Sequence, residues 1–129
     1  MLCRRGGNII RVLVIDDNEE IREVLSFYFE QKGIDYKLIG DGAEGLKEIK
    51  NDGYDLILLD IAMPVFSGMD VIDSLKRDGL LASKNIVIVT ASSRPDLLEE
   101  LKASGIKDIL KKPCSLDQLS ELIEGYRPD

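Results

Sequence analysis

The chain has 129 residues, 44% hydrophobic and 32% charged, with a formal net charge of −7. That length suits one domain with a buried core, and the composition is too polar for a membrane protein. The negative balance argues against a nucleic-acid backbone as partner, because that affinity rests on Lys and Arg neutralising phosphates.

The opening MLCRRGGNIIR is basic but lacks the apolar segment of a secretory signal, so residues 1–10 are expected to form a short leader. No apolar run anywhere approaches the ~20 residues of a membrane span. Val12-Leu-Val-Ile15 is the first strand and closes on Asp16-Asp17. Glu19 to Lys32 then carries Ile21, Val24, Leu25 and Tyr28 at helical spacing, with Asn18 as N-cap and Gly33 as the stop. A weaker strand, Tyr36 to Ile39, is interrupted by Lys37, and Asp41-Gly-Ala-Glu44 fits the capping-box pattern that opens a second helix.

Leu56-Ile-Leu-Leu59 is a continuous aliphatic run that ends on a carboxylate, Asp60. Val71, Ile72 and Leu75 give a third helix after Gly68, and Ile86-Val-Ile-Val89 a fourth strand that ends at Thr90. Leu97, Leu98 and Leu101 place a helix after Pro95. A short fifth strand at Ile109-Leu110 leads into Lys111-Lys112-Pro113, and Ser115-Leu-Asp-Gln118 opens the last helix as a second capping box. The two cysteines, Cys3 and Cys114, match no metal spacing and read as free thiols in a reducing cytoplasm. Without His or CxxC, zinc sites and His-based acid-base catalysis lose their usual groups.

Continuous rather than alternating apolar runs suit parallel strands covered on both faces. Strand and helix alternating five times imply right-handed crossovers and an α/β, doubly wound (βα)5 three-layer sandwich. The two weaker strands suit its edges. Such a sheet keeps its ligand site outside the carboxyl ends of its strands, and this is where Asp16, Asp17, Asp60 and Thr90 fall. Taken alone, Asp16 and Asp17 read equally well as turn or cap residues. A lysine and a hydroxyl at corresponding strand ends have no part in capping, so the set reads as a site. Converging carboxylates raise one another's pKa unless a cation intervenes; a hard divalent ion such as Mg²⁺ relieves this, and Lys112 supplies a permanent charge at the same edge. With no glycine-rich phosphate loop, the parts are those of phosphoryl transfer to an aspartate.

Ile15-Asp16-Asp17, Leu58-Leu59-Asp60-Ile-Ala-Met63-Pro64-Val-Phe-Ser-Gly68, Val89-Thr90-Ala91 and Lys112-Pro113 stand together in an order and spacing that resembles the receiver domain of two-component response regulators. The likeness runs from Arg11 to about Gly125 and leaves residues 126–129 as a tail. It implies a flavodoxin/CheY-like sheet of order 2-1-3-4-5, with Asp60 accepting a phosphoryl group from a histidine kinase, a phosphotransfer protein or a small phosphodonor. It further implies Mg²⁺ on Asp16, Asp17, Asp60 and the backbone carbonyl of Ala62, a phosphoryl contact from Thr90, a pairing with Lys112, and a cis Lys112-Pro113 bond. Such a protein is a phosphoacceptor that promotes its own transfer chemistry, not an enzyme in the ordinary sense. It is expected to be cytoplasmic, a monomer or weak homodimer, and to signal through the face of its fourth helix, fifth strand and fifth helix.

Two positions depart from the family's habit, and two more lie where the family tunes its chemistry. Ile109 stands where receivers commonly carry the Tyr or Phe that swings inward as Thr90 moves, so this switch pair has no phenol. Cys114 replaces the usual Phe after the proline. Ala62 and Ser92 occupy the positions that tune phosphoaspartate hydrolysis, and Ala62 has no polar group to orient water, which implies slow self-dephosphorylation. The competing reading is a phosphorylation-independent adaptor, for which Ile109 is the one support. An aspartate-dependent phosphatase would want a second acid at position 62, and a flavin protein would want hydroxyls and amides after the first strand. No output domain follows Gly125, so the sequence reads as a stand-alone receiver or a piece of a longer protein.

Overall fold

The structure, a computed structural model, describes residues 9–51, 53–92 and 94–128. The leader up to residue 8, with Cys3, and Asp129 of the tail lie outside the described residues. Five parallel strands alternate with helices: β1 (Arg11–Ile15), α1 (Glu19–Lys32), β2 (Asp35–Ile39), α2 (Gly42–Lys50), β3 (Leu56–Asp60), α3 (Gly68–Arg77), β4 (Ile86–Thr90), α4 (Pro95–Ala103), β5 (Asp108–Lys111) and α5 (Leu116–Glu124). The strand order is β2-β1-β3-β4-β5. The two strands that look weakest in sequence, β2 and β5, are the edges, where one flank has no neighbour and polar residues such as Lys37 are tolerated.

Because side chains alternate across a strand, each apolar run serves two cores. Leu13, Ile15, Ile57, Leu59, Ile86 and Ile88 face α2, α3 and α4, while Val12, Val14, Leu56, Leu58 and Val87 face α1 and α5. Central β3 has helices on both faces and strands on both flanks, so all five of its residues are buried. That explains the unbroken LILL run. Ile10, assigned from sequence to the leader, belongs to the folded unit instead. It is fully buried in the α1/α5 core, and its carbonyl accepts from the Asp35 N–H at 3.1 Å. Tyr126 likewise packs, half-buried, against that core.

The caps fix where each helix begins. Asn18 accepts from the Ile21 N–H, Asp41 from that of Glu44, and Ser115 with Gln118 forms a full capping box. Ser67 and Asp70 form another at the start of α3. Gly33, at φ 69°, closes α1 in the left-handed region.

Candidate functional site

Strand register assembles the site. Ile15 pairs with Leu59, Asp60 with Val89, and Thr90 with Lys111. The residue after β1 therefore lies level with the end of β3, and Thr90 and Lys112 follow one step along the neighbouring strands. Asp16, Asp17 and Asp60 each place a carboxylate oxygen within 4.8 Å of the others. Asp16 and Asp60 are buried, at 4% and 6% exposure, while Asp17 opens to solvent.

Lys112 is the counter-charge. Its Nζ lies 3.2 Å from Asp16 Oδ2 and 3.7 Å from Asp60 Oδ1, and its backbone N–H donates to the Thr90 carbonyl at 2.8 Å. The Lys112-Pro113 bond is cis, as the resemblance implies. Asp16 also accepts from the Asn18 N–H at 2.9 Å, and Asp60 from the Ala62 N–H at 3.2 Å. Thr90, 1% exposed, accepts the Ser92 N–H at 3.0 Å. A hydroxyl is donor and acceptor at once, so its proton is still available for a phosphoryl oxygen.

Burial drives the Asp60 carboxyl above its ordinary range, and repulsion from Asp16 adds to the effect; Lys112 and the Ala62 N–H only partly offset it. One ammonium against three carboxylates leaves a deficit of positive charge. An all-oxygen donor set with two buried members and one exposed member suits a hard divalent cation that keeps some of its waters. The residues fit Mg²⁺.

The loop after β3 is shaped by Gly68. A Cβ there would stand 2.4 Å from the Asp60 carbonyl oxygen and 2.7 Å from Ile61 Cα, so only glycine lets the loop fold back onto the strand end, where the Gly68 N–H donates to Ile61 O at 3.1 Å. From sequence Gly68 reads as a turn or helix-start residue; it opens α3, and its close approach to the end of β3 is what requires glycine there. Met63, 7% exposed, is core filler on the α3 side. Ile109 is half-buried against the same core, on the strand beside Ile88.

A cavity of about 590 Å³ runs from Asp60 and Lys112 between α1 and α5, walled by Val14, Leu25, Leu58, Leu110 and Cys114. Sequence gives no hint of it beyond the small residue at 114. Burial pushes the Cys114 thiol up, which makes it a poor nucleophile and keeps it out of the chemistry. Sequence reasoning also passes over Arg22, whose guanidinium reaches the Asp16 carbonyl.

A doubly wound parallel sheet with clustered carboxylates, a hydroxyl and a lysine at its carboxyl edge defines an acidic-site α/β domain of the CheY-like kind. The chain belongs to the response regulator receiver domain family, whose profile matches residues 12–124, and it is a receiver of phosphorelay signalling. It is 36% identical over 118 residues to the CAI-1 autoinducer sensor kinase/phosphatase CqsS of Vibrio cholerae, which covers 90% of this chain and 17% of that protein. The chain spans only 4% to 35% of the length of several curated relatives it matches. Among solved structures it is similar to response regulator TrrA of Thermotoga maritima in complex with Mg²⁺ and BeF. There the TM-score is 0.76 at 29% identity, covering 92% of this chain and 99% of that one. It is also similar to the co-crystal of the Saccharomyces cerevisiae phosphotransfer protein Ypd1 with the receiver domain of Ssk1. That match has a TM-score of 0.80 at 31% identity, covering 93% and 90%.

Proposed function

We propose that Asp60 is the phosphoacceptor and that Mg²⁺ is held by Asp16, Asp17, Asp60 and the Ala62 backbone carbonyl. The observation that carries this is the convergence of three carboxylates, two of them buried, beside the Lys112 ammonium. The bound cation would supply charge neutralisation for the transferring group. An Asp60 carboxylate oxygen attacks the phosphorus of a phosphohistidine, the P–N bond breaks, and the imidazole leaves and takes up a proton. With acetyl phosphate the bond broken is P–O and acetate leaves. Asp60 is held for in-line approach by a strand buried on every side, Lys112 pairs with the phosphoryl oxygens, and the Thr90 hydroxyl donates to one of them.

The donor we infer is a sensor histidine kinase or a phosphotransfer protein. The Ypd1–Ssk1 complex is a precedent in a similar receiver, and exposed Val24, Phe27 and Leu116 beside the cavity mouth give a donor an apolar surface to rest on. Output passes through α4, β5 and α5 as Thr90 moves, with Ile109 re-packing without a phenolic hydrogen bond. The free thiol of Cys114 supports a reducing, cytoplasmic setting; no described helix is long and apolar enough to cross a membrane.

Incubation with ³²P-labelled acetyl phosphate tests the reading. Label should enter only with Mg²⁺ and be abolished in Asp60→Asn. Label that persists in Asp60→Asn moves the acceptor elsewhere, and no label in the wild type favours the adaptor.

A further inference from the structure

We infer that Arg22 is a positioning residue for the cation site: its guanidinium occupies the space left by the missing side chain of Gly40 and holds the Asp16 carbonyl, which sets the acidic turn. This rests on the proposed Mg²⁺ reading and goes beyond it.

Arg22 Nη1 donates to Asp16 O at 2.8 Å. Every other polar group of Asp16 is also engaged, each by a different segment. Its N–H donates to Ile39 O at 3.0 Å on β2, Oδ1 accepts from Asn18 of its own turn, and Oδ2 accepts from Lys112 beyond β5. The carbonyl bond matters beyond Asp16 itself. The C=O of Asp16 and the N–H of Asp17 belong to one planar unit, so fixing the carbonyl fixes where exposed Asp17 starts. A hydrogen bond from a charged donor is roughly twice as strong as a neutral one.

Gly40 is the other half of the device. A Cβ at that position would lie 2.5 Å from Arg22 Nη1 and 2.9 Å from Arg22 Cζ. Gly40 lies outside the left-handed region, unlike Gly33, so its backbone makes no demand for glycine. The guanidinium does. Because that group is the far end of a flexible chain, Gly40→Ala displaces the arginine and leaves the β2–α2 turn intact.

The sign of the effect separates this role from a purely electrostatic one. A positive charge near the acidic cluster opposes a divalent cation by Coulomb repulsion, so if Arg22 acted by charge alone, removing it would tighten Mg²⁺ binding. If it acts by tethering, removal weakens binding, as loss of an outer-shell partner commonly does by about 10-fold or more. Mg²⁺ titration followed by amide chemical shifts, on wild type, Arg22→Ala, Gly40→Ala and the double variant, measures this. Each single variant should lose about 10-fold in affinity, and the double should lose no more than either single, because both remove one interaction. Unchanged or tighter binding in Arg22→Ala, unchanged binding in Gly40→Ala, or additive losses overturn the inference.

Metal-free amide exchange reads the tether independently of the cation. The Asp16 and Asn18 amides should exchange faster in both single variants, and equal protection overturns the tether. A wild type that neither binds Mg²⁺ nor takes label sinks the functional reading, while the exchange comparison still decides what Arg22 does.

Discussion

The two ends of the sheet handle charge in opposite ways. At the amino end, Arg11 pairs with Asp35 at 3.1 Å, reaches Gly53 O, and lies 4.6 Å from the centre of the Tyr54 ring, while its backbone N–H donates to Asp55. Glu48 accepts from the Tyr54 hydroxyl at 2.6 Å and pairs with Lys37 at 3.2 Å. These partners hold the Glu48 carboxyl below its ordinary range, and burial with that hydrogen bond pushes the Tyr54 phenol up to about 12. Each shift stabilises the protonation state found at neutral pH. At the carboxyl end the shift runs the other way: burial and the neighbouring Asp16 push the Asp60 carboxyl upward, which penalises its charged form. One end is electrostatically relaxed. The other is left short of positive charge, and a dication or phosphoryl chemistry can use that imbalance.

The largest test of this contrast removes one lysine from each end. Lys112→Ala strips the counter-ion from two buried carboxylates, and breaking a buried ion pair by removing one partner costs about 3–5 kcal/mol. Lys37→Ala breaks a pair whose lysine is half exposed, worth under about 1 kcal/mol. Urea denaturation without Mg²⁺ should rank them so, and Mg²⁺ should restore part of the Lys112→Ala loss. Equal losses would erase the difference between the ends.

A second test reverses the sign. Because the Asp60 pKa is raised in the folded protein, the fold favours its protonated form. That contribution is present below the unfolded carboxyl value of about 4 and is lost as pH rises through the folded one. Metal-free Asp60→Asn should therefore melt above the wild type at pH 7, with the gap closing as pH falls toward 4. Mg²⁺ should raise the wild-type midpoint by mass action and move the variant much less. A metal-free variant that melts below the wild type at neutral pH would contradict the idea that charge at this end is held at a cost.

Strain separates the ends too. Val65 sits at φ 67° and is fully exposed in the loop after β3. A β-branched residue in the left-handed region costs roughly 1–2 kcal/mol, partly offset by the greater entropy glycine carries when unfolded. Val65→Gly should raise stability by up to about 1 kcal/mol in urea titrations. No gain would mean that the loop relaxes around the valine.

The relaxed end was the harder one to read from sequence. Strands β1, β3 and β4 were legible because both their faces are buried, which forces continuous apolar runs, and the acids ending β1 and β3 stood out against them. Nothing local distinguishes Arg11, Asp35, Asp55 and Tyr54 from ordinary surface residues, since the contacts that Arg11 makes with the other three span 24 to 44 positions. Arg22 is hidden for a different reason: its contact, six positions away, is to a backbone carbonyl, which carries no sequence identity. Val65 was invisible because a β-branched residue is the opposite of a left-handed signal. The Ser67–Asp70 box escaped because Asp replaces the usual Glu or Gln. The cis bond at Pro113 was legible only through the family likeness, since an isolated Lys-Pro pair favours trans.

The gentlest perturbation falls at Ala62, exposed two residues past Asp60 with its N–H already bound to the Asp60 carboxylate. A side chain there changes no packing, so any effect must come from what it presents to water at the phosphorylated site. Alanine presents no donor or acceptor, and an attacking water loses the orientation that positioning would give it. Phosphate release from the labelled protein should be slow, and Ala62→Asn should speed it several-fold with no change in the melting midpoint. Loss of label within seconds in the wild type would show that Ser92, Lys112 or the cation orients the water unaided. It would then be the strand ends themselves, and not the loop beyond β3, that set how long the signal lasts.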